Sequence, residues 1–152
     1  MELADNSNRA YTIMIHPNQK IIDQFFEAYG KHDMDALRKV MFENVQWTFP
    51  GHHFLSGTKT GIDEVVDFFD KMGEIMGTSE FTIDKLIMGA NDDYVVECHR
   101  VIMKRKDGNT LDHQWCVLWK FKNGKIKEGR HFASDQHEVD RFFHNVSREK
   151  IQ

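Results

Sequence analysis

Cysteine and proline are scarce in this chain, with two of each in 152 residues. Cys98 and Cys116 have no partner pattern such as Cys-x-x-Cys, so both are expected to be reduced, buried and packed as small hydrophobes. No apolar run approaches the roughly 18–20 residues that a membrane helix needs. The first residues, Met1-Glu2-Leu3-Ala4-Asp5, lack the basic start and apolar core of a signal peptide, which sets the expected location as cytoplasmic. Positive charge is also short: 20 Lys and Arg stand against 24 Asp and Glu, a net −4. Without a clustered positive field, nucleic-acid binding is not expected. Lys104-Arg105-Lys106, just before Asp107-Gly108, reads as a solvated hairpin end. What is present is a globular balance, 40% hydrophobic and 29% charged, in a chain long enough to bury a real core.

Helical and strand periods divide the chain. Residues 1–16 carry no clear period and are expected to form a tail, followed by one domain over 17–146 and a short tail over 147–152. Pro17 suits a first helical turn, and Ile21, Ile22, Phe25, Phe26 and Tyr29 then make one apolar face that Gly30 ends. Asp33 is placed to cap a second, short helix with Leu37, Val40 and Met41 inward. Val45–Phe49 alternates as a strand closed by Pro50-Gly51, and residues 52–61 are expected to be an irregular loop. Thr60, three residues before Asp63, resembles a capping box for a helix carrying Val65, Val66, Phe69, Met72 and Met76.

The remainder reads as an antiparallel meander. Strands are expected over 80–88, 94–106, 110–122 and 125 to about 133, with Asp107-Gly108 and Asn123-Gly124 as hairpin turns. Helices first and long strands afterwards argue for an α+β fold. With Lys120, Lys122, Lys104 and Lys106 as outward markers, His113, Trp115, Val117, Trp119 and Phe121 share the inner face with Glu97, His99, Val101 and Met103. Val96, Cys98, Ile102, Cys116 and Leu118 leave the other face partly apolar, and a homodimer through that outer face is the expected resolution.

The order of these signals resembles a known family. Gly30-Lys31-His32-Asp33-Met34-Asp35 breaks the first helix, a strand ends in Trp47-Thr48-Phe49-Pro50-Gly51, a Gly57-x-x-x-Gly61 loop follows, and the meander closes with Asn123-Gly124-Lys125-Ile126. Over roughly 18–143 the chain is similar to the nuclear-transport-factor-2-like superfamily, in its SnoaL-like, ketosteroid-isomerase-related branch. The resemblance implies N-terminal helices packed on a strongly curved mixed or antiparallel sheet, forming a cone with an internal pocket. It does not extend to steroid isomerisation: Phe25 stands where that mechanism uses a tyrosine, Phe49 where it uses a carboxylate, and Cys116 and Val117 near the place of its neutral acid. Nor is the Asp-Arg-Asp arrangement of an epoxide hydrolase complete: Arg100 is present, His131 stands roughly at the position of one carboxylate, and the second is not evident.

Chemistry is expected from His99, His113 and His131, on three consecutive strands, because imidazole titrates near neutrality and serves as general acid or base. His131 points inward only if the last strand bulges near Gly129, since strict alternation from Ile126 turns it outward. Each histidine could equally be a core residue making one hydrogen bond. Glu97 could orient His99 or lie in water at the sheet edge, and Asp135 could serve the site or cap the terminal helix carrying Val139, Phe142 and Phe143. Trp47 and Trp115, whose N–H groups need partners, join Phe25, Tyr29 and Phe54 as expected pocket walls for a small apolar ligand. No metal and no cofactor is expected, as no short His-x-His pair supports a zinc site. Three readings remain open: a cofactor-free isomerase, dehydratase or cyclase using a pocket histidine; a non-catalytic small-ligand binder; and a dimeric interaction module.

Overall fold

A computed structural model of the protein describes residues 15–150, with side chains for 15–144. Four helices and six strands follow in the order α1 (Pro17–Gly30), α2 (Met34–Lys39), β1 (Met41–Phe49), β2 (Gly57–Thr60), α3 (Ile62–Gly77), β3 (Glu80–Ala90), β4 (Tyr94–Lys104), β5 (Thr110–Lys122), β6 (Lys125–Ala133) and α4 (Gln136–Lys150). Residues 1–14 of the expected N-terminal tail, and 151–152, lie outside the described residues. The strands form one mixed sheet in the order β2-β1-β6-β5-β4-β3, not closed into a barrel. Only β1 and β6 run parallel, so the chain must cross the whole sheet to bring its first and last long strands together.

The helix ends follow local chemistry. His16 caps α1 through its ring, which accepts from the Asn18 N–H, while the Gln19 side chain accepts from the His16 N–H. Asp33 caps α2 by accepting from Ala36 N–H at 3.0 Å. The expected Thr60 box at α3 is replaced by Gly61 at φ 90°, with Glu64 reaching back to the Thr60 N–H at 2.8 Å. A glycine fits that positive φ without a Cβ clash.

Four expectations are corrected. Met41 is the first residue of β1, not the end of a helix, because α2 stops at Lys39. The loop contains β2, whose four residues are too few to show a period and owe their strand form to pairing with β1. Arg105 is buried rather than solvated: its guanidinium donates to the Phe142 carbonyl of α4 at 3.0 Å and pairs with Asp107 at 2.7 Å. Cys98 and Cys116 face each other across β4 and β5 on the outer side of the sheet, half-buried and not in the core.

The inner face of the sheet, α1 and α3 enclose the core. Along β4 and β5 burial alternates strictly, placing Glu97, His99, Val101, His113, Trp115, Val117 and Trp119 inside. On β6, Lys120 pairs with Glu128 but Phe121 pairs with Ile126, so Lys127 is one residue too many. That bulge reverses the alternation and turns Gly129 and His131 inward. Its place is Lys127, two residues before the Gly129 expected to cause it.

Candidate functional site: an apolar chamber with two imidazoles

Between the sheet and α1 and α3 lies a cavity of about 80 Å³. Helix α1 contributes Phe25, Phe26 and Tyr29; α3 contributes Phe68, Phe69, Met72 and Met76; the sheet adds Trp47, His99, Trp115, Trp119 and His131, among others. A cavity of about 150 Å³ accommodates benzene, so a ring-sized guest requires wall movement. Met72 and Met76 are the adaptable part of that wall, since thioether chains repack readily.

Two histidines reach this chamber, each held by a different partner. The His99 ring lies with Nδ1 at 2.8 and 3.1 Å from the two carboxylate oxygens of Glu97, which is fully buried. Residues 97 and 99 point the same way on β4, so two-residue spacing delivers the carboxylate to the ring. His131 Nδ1 accepts from the indole N–H of Trp47 at 3.1 Å. Burial, with smaller repulsions from His99 and Lys59, pushes the His131 ring down to about 3, so it is neutral at physiological pH. Cross-strand register places Glu97, Val117 and His131 in one row and His99, Trp115 and Ala133 in the next. The two imidazoles thus stand two strands and one row apart, about 12 Å at the backbone, facing the same space.

Trp47 borders the cavity and is packed by aromatic neighbours elsewhere. Phe25 stacks on it at 6.2 Å and 3°, and Phe69 and Trp119 each meet it edge-on at 4.8 Å. Gly129 pairs with Trp47 on one side and Trp119 on the other, and a Cβ there would fall onto the six-membered ring of Trp47. The Trp119 N–H is the one buried side-chain polar atom without a hydrogen-bond partner among the described residues. Such an orphan costs about 1–3 kcal/mol.

The other expected site residues stand elsewhere. His113 is buried but outside the cavity lining, where it accepts from the Ser134 N–H at 3.2 Å beside α4; burial lowers its pKa. Asp135 is an α4 cap, accepting from the N–H groups of His137 and Glu138 at 3.0 and 3.3 Å. Phe54 is partly exposed beside Leu55 and Lys59, away from the chamber. His53 pins its loop: its ring contacts the Pro50 carbonyl at 3.1 Å, accepts from the Leu55 N–H at 3.2 Å and stacks on Phe143. Tyr29, whose hydroxyl donates to Met76 sulfur at 3.4 Å, lines the cavity with Phe25 and Trp115. Of the residues overlooked in sequence, Met72, Met76 and Phe26 belong to the wall; their helical spacing signalled only a buried face. Among the described residues no group of three or more His, Cys, Asp or Glu is arranged to hold a metal, and no helix is long and apolar enough to cross a membrane.

Helices laid against one face of an open mixed sheet, with a chamber between, define an α+β protein with a cystatin-like fold. The chain belongs to the SnoaL-like domain family, whose model matches residues 22–129. It is similar to an uncharacterised protein of Mycobacterium tuberculosis, 25% identical over 124 residues, covering 81% of this chain and 93% of that one. Among solved structures it is similar to Bal32a from a soil-derived mobile gene cassette, with 28% identity, TM-score 0.75 and coverage of 84% and 96%. A protein of unknown function with a cystatin-like fold from Xanthomonas campestris gives 28% identity, TM-score 0.72 and coverage of 83% and 97%.

Proposed function

We propose that the chamber, within a domain spanning 17–146, binds a small, largely apolar molecule and that His99, oriented by Glu97, moves a proton on it in a cofactor-free isomerase, dehydratase or cyclase type of reaction. The observation that carries this reading is the carboxylate–imidazole pair buried at the edge of an otherwise apolar cavity. With Nδ1 engaged by the carboxylate, a neutral His99 presents its Nε2 lone pair to whatever occupies the space, and the carboxylate fixes the ring's orientation. The unpartnered Trp119 N–H adds support, because Trp119 lines the cavity and a ligand oxygen is one way to satisfy it. A chain from Jannaschia provisionally named a SnoaL-like polyketide cyclase has the same fold at 15% identity and TM-score 0.67, a likeness in fold alone.

A thermal-shift screen of small carbonyl and hydroxyl compounds, followed by deuterium uptake from D2O into each hit, tests the reading. We expect hits to raise the wild-type melting temperature by several degrees through mass action, to lose that effect in His99→Ala, and to keep it in His113→Ala, whose ring lies outside the chamber. Hits that bind without exchanging a proton make the protein a non-catalytic binder. No hit on the folded protein removes the pocket reading altogether.

The outer sheet face supports a second proposal, a homodimer. Val96, Ile102, Ile87 and Phe132 are between 39% and 65% exposed there, next to Cys98, Cys116 and Leu118. An apolar patch of that kind on a sheet face is the usual mark of an interface. Sedimentation velocity at several concentrations is expected to give a dimer that Ile102→Glu weakens; a wild-type monomer at every concentration ends the proposal.

A further inference from the structure

We infer that Trp47 is a positioning residue that fixes His131 as a hydrogen-bond donor through Nε2, complementary to the acceptor Nε2 of His99, so that the chamber selects uncharged carbonyl compounds. The selection half of this rests on the pocket reading above; the assignment of His131 does not. An indole nitrogen only donates. Because Trp47 Nε1 lies 3.1 Å from His131 Nδ1, that ring nitrogen must offer a lone pair, and the neutral ring must then carry its hydrogen on Nε2. A doubly protonated ring would set two N–H donors against each other. Phe25, Phe69 and Trp119 pack against Trp47, and the backbone of Gly129 lies beneath it, so a swing that relieved this would have to displace those neighbours.

His99 has the reverse assignment. A carboxylate only accepts, so a neutral His99 turns its hydrogen to Glu97 from Nδ1 and keeps Nε2 as the acceptor. The same kind of side chain therefore appears twice in one chamber, once as donor and once as base, and the partner at Nδ1 decides which. Among the described residues, none of the lining groups apart from these two rings and Tyr29 is an acid or a base, and no Lys or Arg lines the cavity. An anion would lose its hydration with no cation to meet it, with the Glu97 carboxylate behind His99. A ketone suits both groups. His99 Nε2 takes the proton next to the carbonyl, and the C–H electron pair becomes the C=C bond of the enol. The carbonyl π pair moves onto oxygen, where the His131 Nε2–H stabilises it; His99 then returns the proton at carbon or oxygen.

Nitrogen-15 NMR of histidine-labelled protein reads the assignment directly, without any ligand. The expected spectrum shows His131 with an unprotonated Nδ1 and a protonated Nε2 throughout pH 5–8. A Nδ1–H tautomer, or a charged ring at neutral pH, overturns the proposal. In Trp47→Phe, which keeps a ring and removes the donor, the His131 signals are expected to move toward the alternative tautomer; unchanged signals in a folded variant overturn Trp47's role. Cyclohexanone, methylenecyclohexane and cyclohexanecarboxylate then probe selection. Cyclohexanone is expected to shift the His131 Nε2 resonance and to bind about tenfold tighter than methylenecyclohexane, the cost of one lost hydrogen bond, while the carboxylate does not bind. Equal binding of all three refutes selection. Absence of cyclohexanone binding with the tautomer intact removes the pocket reading and leaves Trp47's role standing.

Discussion

Replacing Gly129 by alanine is expected to destabilise the protein by about 3 kcal/mol or more, at the upper end of the overpacking range, lowering the melting temperature by roughly 10 °C for a chain of this size. The added methyl group meets not a flexible chain end but the face of Trp47, itself wedged among Phe25, Phe69 and Trp119. Relief requires moving the indole, and the indole holds His131. Stability and His131's assignment should therefore fail together. Gly77→Ala supplies the contrast: it sits at the end of α3 with nothing within 4 Å of the added atom, and is expected to be neutral or stabilising by up to about 1 kcal/mol. Adding Trp47→Val to Gly129→Ala makes room for the methyl, so urea denaturation of the double variant should show strong non-additivity. Additive losses would mean that the two residues do not compete for the same space.

Gly129 has one meaning in the sequence and another in the fold. In sequence it looked like a candidate bulge, because a glycine inside a strand is ambiguous between a bend and a close approach. Here it is the close approach, and the partner, Trp47, is far away in the chain. Local patterns carried what local forces decide. Alternation placed Glu97 and His99 on one face, and their two-residue spacing made the carboxylate–imidazole contact one of the two readings open in sequence. The helix stops at Gly30 and the cap at Asp33 were legible for the same reason. Parallel pairing of β1 with β6 is a tertiary event, and it brings Trp47 to His131, completes β2 as the strand beyond β1, and has no local signature. The bulge at Lys127 belongs with these. Nothing in Lys125-Ile126-Lys127-Glu128 marks an extra residue, yet it decides which way His131 points. Asp135 and Arg105 differ: Asp135 has two readings in sequence, site residue or helix cap, and Arg105 one, a solvated hairpin end, and position near α4 selects the cap for the first and burial for the second.

Lowering the pH from 7.5 to 4.5 is expected to cost a substantial part of the folding free energy, mainly through two buried histidines. Burial, the largest influence on each, holds His131 at about 3 and His53 at about 4, against 6.5 for a free ring. For His131 the neighbours His99 and Lys59 act in the same direction; for His53 the Pro50 carbonyl and Asp140 oppose burial without overcoming it. Both rings are thus neutral in the fold and protonate in the unfolded chain as the pH passes 6.5. The stability they contribute is whole above that value and is lost as the pH falls toward 4 and then 3. Each ring adds a slope of up to about 1.4 kcal/mol per pH unit across that window. His131, whose shift is the larger, supplies most of this, about 2–3 kcal/mol by pH 4.5, and His53 less because solvent screens its shift; together they are a sizeable fraction of the stability of an ordinary domain. Asp107, Asp112 and Asp140, whose hydrogen bonds hold them below 3.8, act in the same sense but only below that value. Urea denaturation at one-unit steps therefore should show stability falling steeply from pH 6.5 downward. His131→Leu should be less stable at pH 7.5, where Trp47 loses its acceptor, yet flatter with pH because one titrating ring is gone. A wild-type stability that stays level between pH 7 and 5 would mean that His131 and His53 reach solvent and protonate in the fold, and Trp47 could then no longer be holding His131 neutral.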